Sequence, residues 1–181
     1  MSVDIAIDVA KKLEDLKKIC KPKDAKASGI EGYVRRAEDF PALMLQAGLV
    51  SALTFFLSKA DLDKVNQYFN YWKTGYLPAP LSSSSGETSP QSESGRKSFH
   101  PCDDLGEGAG KGYSAYTASL FYVLTMANDC KISSIVVSDV LKCLDALESR
   151  ELKVERKITP ILLRIKELSV MLSPESEGEA S

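Results

Sequence analysis

The chain has 181 residues, 44% of them hydrophobic and 27% charged, which suits one domain built around a single core. A net charge of −2 excludes the strongly basic class of freestanding nucleic-acid binders, although it leaves room for a local basic face. No apolar run approaches the roughly 18 residues of a membrane span, and Asp4 and Asp8 stand where a secretory leader would be apolar.

Val3, Ala6, Ala10, Leu13, Leu16 and Cys20 recur at helical spacing and predict an amphipathic helix over residues 2–20. Ser2 is its candidate N-cap. Asp4 and Asp8 lie early and Lys17, Lys18 and Lys21 late, an order that complements the helix dipole, and Pro22 stops the helix. A connector leads to a second helical region at 31–39. From Leu43 to Leu57 the only polar side chains are Gln46, Ser51 and Thr54, so this stretch is expected to be a helix buried on nearly all sides in the middle of a bundle. Pro41 is expected in its first turn, where the missing N–H needs no partner, and Gly48 permits either a kink or the close approach of another helix.

The next helix starts at Lys59 or Asp61 and carries an aromatic stripe of Leu62, Val65, Tyr68, Phe69, Trp72 and Tyr76, suited to a core or, where exposed, to a partner subunit. Residues 78–112 show no hydrophobic period, and eight of the 17 residues from 82 to 98 are Ser. Ordering each residue costs about 1–2 kcal/mol, so 78–112 is predicted to be a flexible Ser/Gly-rich insertion rather than a domain boundary. Three further helices follow. The first runs from Tyr113 to Asn128. The second is marked by Ile132, Val136, Val140, Leu144 and Leu147, with Ser133 or Ser134 at its start. The last carries Val154, Ile158, Ile161, Ile165, Leu168 and Leu172, with Pro160 either in its first turn or kinking it. The run Ile135–Val137 is ambiguous between helix and strand, and an acidic tail at about 173–181 is expected to be disordered. The whole reads as one all-α bundle of six or seven helices.

Little catalytic chemistry is on offer. His100, the lone histidine, lies in the insertion, and with Cys102, Asp103 and Asp104 it falls short of the four recognisably spaced ligands of a zinc site. Gly106 to Gly112 superficially resembles a phosphate loop, but Leu105 stands where the first Gly is needed and Gly112 replaces Ser or Thr. The cysteines at 20, 102, 130 and 143 form no Cys-x-x-Cys pair and fall mostly in helical patterns. They are expected to be reduced, and the protein cytoplasmic.

The string Pro41, Gln46, Gly48, Leu49, Leu53, Phe56, Leu57, followed by Ser58 and Lys59, resembles a signature of the small subunit of type III-B CRISPR (Cmr) effector complexes. The resemblance implies a non-catalytic structural subunit, without cofactor or small-molecule substrate. It would form a filament with copies of itself along the crRNA-bearing backbone subunits and face target RNA in antiviral defence. Charge distribution supplies the candidate contacts. Nine cations against four acids lie between Lys11 and Arg36, and six against two between Arg150 and Lys166. Lys17, Lys18, Lys21, Lys23, Arg35 and Arg36 are the first choice for RNA phosphates, and Arg156, Lys157 and Arg164 the second. The alternatives are the small subunit of a type III-A or type I-A effector, and an unrelated helical adaptor that binds protein without touching RNA.

Overall fold

The computed structural model describes residues 2–20, 29–77 and 99–173. Among them are seven helices and no strand: α1 (Ser2–Ile19), α2 (Glu31–Ala47), α3 (Leu49–Lys59), α4 (Leu62–Thr74), α5 (Tyr113–Met126), α6 (Val137–Glu148) and α7 (Glu151–Met171). None is long and apolar enough to cross a membrane. Residues 78–98 and the tail from 174, both expected to be disordered, lie outside the described residues, as do Lys21 and Lys23.

α5 is the axis of the bundle. Every residue from Ser114 to Leu124 is buried. α4 lies along it, α2 and α3 pack on other sides, and α7 bridges α1 and α2. The aromatic stripe of α4 is core as far as Trp72: Val65, Tyr68, Phe69 and Trp72 are fully buried, and the Trp72 indole donates to the Ala115 carbonyl at 3.2 Å. Tyr76, beyond the helix end, is exposed. Asp61 caps α4, accepting from the Lys64 amide, and Gly75 closes it in the left-handed conformation.

The stretch 43–57 is not the all-round buried helix its composition suggests. Gly48, at φ 88° and ψ 160°, breaks it into α2 and α3, and each half buries one face. Met44, Leu49, Ala52, Leu53 and Phe56 point inward, whereas Leu45 is 75% and Phe55 44% exposed. Pro41 does not open a helix either. It sits buried inside α2, and the missing N–H costs one intrahelical bond there. Pro160 likewise lies well inside α7. α6 starts later than expected, after an extended Val136 that offers no side-chain cap, so neither Ser133 nor Ser134 serves.

The expectation of free thiols is overturned. Cys20 pairs with Cys102 and Cys130 with Cys143, at Cα separations of 5.3 and 5.4 Å, and no cysteine among the described residues is free. The pairs are 82 and 13 residues apart in sequence, and only the folding of α1 against the 99–112 segment, and of α6 beside the end of α5, brings the partners together.

Residues 99–112 also depart from the flexible insertion predicted for 78–112. Leu105 is fully buried, and its carbonyl accepts from the Gly32 amide at 2.9 Å. Gly112 of this segment serves close backbone contact. A Cβ on Gly112, at φ 84°, would stand 2.0 Å from the Gly32 carbonyl oxygen. The first turn of α2 therefore lies directly on the loop.

Candidate nucleic-acid interface

The first candidate cluster does not form one exposed basic face among the described residues. Lys17 is half-buried and donates to the Leu172 carbonyl at 2.6 Å, closing the C-terminal end of α7. Lys18 is exposed but stands 3.4 Å from Glu14 and 3.6 Å from Asp15. Arg35 points to solvent, whereas its neighbour Arg36 is only 8% exposed. The Arg36 guanidinium lies 4.1 Å from the Tyr113 ring centroid, donates to the Lys111 carbonyl at 3.1 Å and pairs with Asp39 at 2.8 Å. Arg36 is thus a clamp between α2, the 99–112 segment and the start of α5, and is not offered to a ligand. Sequence reading missed this because adjacent arginines look alike until the helix phase assigns one of them to the core.

The second cluster fares differently, because α7 sorts its charges. Glu151 and Glu155, one turn apart, point at the α2–α3 break. Glu155 accepts from the Leu49 amide and Glu151 from the Val50 amide, both at 2.7 Å. The first amides of α3 have no side-chain cap of their own, and two carboxylates at a helix N-terminus meet both the donors and the dipole. The motif residues Gly48 and Leu49 are where this contact is made. Leu53 and Phe56 anchor α3 in the core, Leu57 packs at its margin and Gln46 is exposed. With Glu151 and Glu155 turned inward, α7 presents Lys153, Arg156, Lys157 and Arg164 outward, with Glu167 beside the last of them. Residues 153, 156, 157, 160 and 164 share a stripe on a 3.6-residue helix, about 16 Å long at 1.5 Å per residue.

Within that stripe the cations are not equivalent. Lys157 donates to the Ala127 carbonyl and stands 3.2 Å from Asp129, and Arg150 donates to the Asp129 carbonyl. These two cations close the C-terminal end of α5, where Asn128 turns the chain at φ 60°. Arg164 is half-exposed and pairs with Glu167 at 3.1 Å. Lys153 and Arg156 are exposed, and their side chains have no hydrogen-bond or ion-pair partner among the described residues.

Asp104 is 6% exposed and accepts from the Ala115 amide at 3.0 Å, capping the start of α5. Burial pushes its carboxyl above the usual range, outweighing that amide and the nearby Lys64 and Lys111 charges. Tyr33 and Tyr116 are fully buried and their hydroxyls are driven well above ordinary phenol values, with Tyr33 donating to Ser119 at 3.0 Å. His100 accepts from the Cys102 amide at 3.3 Å, and Cys102 is spent in its disulfide. No group of three His, Cys, Asp or Glu residues among those described is placed to hold a metal ion. An apolar groove of about 210 Å³ lies between α1 and α7, with Lys11 and Glu14 as its charged residues. Comparison with protein-family models, curated proteins and solved structures finds no match to this chain.

Proposed function

We propose that this chain is a non-catalytic structural subunit of a type III-B CRISPR ribonucleoprotein effector, holding target RNA along the outer face of α7. The observation that carries the reading is the charge sorting of that helix, with Glu151 and Glu155 bonded inward to α3 and Lys153, Arg156, Lys157 and Arg164 outward. A row of cations on one helix face suits phosphate contacts, which are independent of base identity, and target choice is then left to guide pairing. A net charge of −2 makes one copy a weak binder. Several copies aligned in a filament beside the crRNA-bearing subunits supply affinity through effective concentration. The family assignment rests on the resemblance around Gly48. A type III-A or type I-A small subunit would use the same physics. A cytoplasmic location belongs to this reading, and together with two disulfides it implies a cell whose internal proteins retain such bonds, as in hyperthermophiles.

A second reading, an adaptor that binds protein alone, is favoured by one observation. Val137 and Leu141, one turn apart on α6, are 60% and 59% exposed. The experiment that separates the two is Lys153→Glu, Arg156→Glu and Arg164→Glu made together, with Lys157 left in place to close α5. In the complex recovered with its native partners, RNA affinity should fall for every sequence alike. The slope of log affinity against log salt should flatten by about 2, from three lost single-strand contacts at about 0.7 each. An unchanged slope, or recovery of the native complex without crRNA, rejects the RNA-holding reading and leaves the adaptor.

A further inference from the structure

We infer that the Cys20–Cys102 disulfide is a redox-operated strap. Opening it detaches the 99–103 segment from the end of α1 and loosens the cap on α5, without unfolding the bundle. The inference is independent of the proposed function.

Three sets of contacts hold the 99–112 segment. Its inner half is tied by backbone bonds and by the buried Leu105 and Asp104 side chains, through the Gly32, Gly112 and Ala115 amides, and by the Arg36 guanidinium on the Lys111 carbonyl. Its outer half leans on Tyr68, whose ring meets Phe99 edge-on at 5.1 Å and whose hydroxyl donates to the Pro101 carbonyl, and on Lys111, whose ammonium donates to the Asp103 carbonyl. The third tie, the disulfide, links the segment to α1. Because Cys102 stands two residues before the capping Asp104, whatever holds Cys102 limits the freedom of that cap.

The two disulfides differ in setting. Cys130 and Cys143 are 4% and 5% exposed, one just past α5 and the other inside α6. Cys102 lies in a surface turn and is only half-buried, while its partner Cys20, immediately after α1, is 6% exposed. Thiol–disulfide exchange requires access to a sulfur, so Cys102 is the entry point. A thiolate of an attacking dithiol bonds to the Cys102 sulfur and expels the Cys20 thiolate. The second thiol of the reagent then displaces Cys102, and the reagent leaves as its own disulfide. Two electrons pass to the protein, and its two thiolates take up the two protons the dithiol gives up.

The test uses the full chain, folded, titrated with dithiothreitol, pulsed with an alkylating agent and analysed cysteine by cysteine by mass. Cys20 and Cys102 should label at about tenfold less dithiothreitol than Cys130 and Cys143, as expected where access governs the exchange. In the half-reduced protein, hydrogen exchange at the Gly112 and Ala115 amides should quicken while amides of α4 and α7 keep their protection. The Cys20→Ser, Cys102→Ser double variant should show the same exchange pattern with no reductant. The inference is overturned by four thiols that label without reductant, by equal or earlier opening of Cys130–Cys143, or by unchanged exchange at Ala115. Collapse of all helices on reduction or in the double variant also overturns it, since the bond would then be a global staple.

Discussion

Gly48 shows how one backbone position decides the course of a chain. Its φ of 88° with ψ of 160° is a region that residues with a Cβ avoid, and an added Cβ would stand 2.7 Å from the Glu151 carboxylate. Gly48→Ala should therefore lower stability by about 1–3 kcal/mol in urea titration. An effect below half of that range would mean that the α2–α3 break can be made another way. Asp104 provides a second residue-level test, through pH. Its carboxyl is raised in the folded chain, so between the ordinary carboxylate range and the shifted value the folded state holds more protons than the unfolded state. Stability contributed by Asp104 is complete at low pH and is lost as pH rises through that window. The thermal midpoint should decline with pH there, and Asp104→Asn, which keeps an acceptor for the Ala115 amide, should remove that part of the slope. A slope unchanged in the variant would assign it to other groups.

Among the elements, α5 and α3 exchange the roles that composition assigns them. The stretch 43–57 looks more hydrophobic, yet α5 is the helix buried all round, and its serine hydroxyls find partners within the fold, although that of the buried Thr117 has none among the described residues. Ser119 donates to the Tyr116 carbonyl at 2.7 Å, and Ser114 accepts from the Asp61 amide at 3.0 Å. Hydrophobicity scales count such residues as polar, although a hydroxyl bonded to its own helix is cheap to bury. The two faces of α3 can be told apart by substitution. Phe56, edge-on to Phe40 at 4.9 Å and to Tyr113 at 5.0 Å, should lose about 3–5 kcal/mol on replacement by Ala. The adjacent Phe55→Ala should cost less than about 1 kcal/mol, since its ring is 44% exposed. Equal losses would return α3 to the all-round buried helix. Leu105→Ala should likewise cost about 2–5 kcal/mol, because 99–112 belongs to the core and is not a dispensable loop. A neutral result would restore the loop reading.

At the scale of the whole molecule, one pattern accounts for both the folding and the candidate surface. Helix termini are closed by charged residues from remote segments: α3 by Glu151 and Glu155, the start of α5 by Asp104, its end by Lys157 and Arg150, and α7 by Lys17. Those commitments remove Lys17 and Arg36 from the basic surface that sequence alone offered, and leave Arg35, Lys153 and Arg156 among its exposed members. The all-α class, the helical phases of α1, α4 and α7 and a start of α4 at Lys59 or Asp61 were legible in the sequence. They depend on spacings of three and four residues and on dihedral preferences, which are local. The disulfide pairing, the inward turn of Arg36, the burial of α5 and the ordering of 99–112 were not. Each depends on which distant segments meet, and a one-dimensional pattern carries no information on whether Cys102 lies beside Cys20 or whether Gly112 touches Gly32. The sequence determined which residues are helical, and the packing of those helices decided which of their charges remain free to bind.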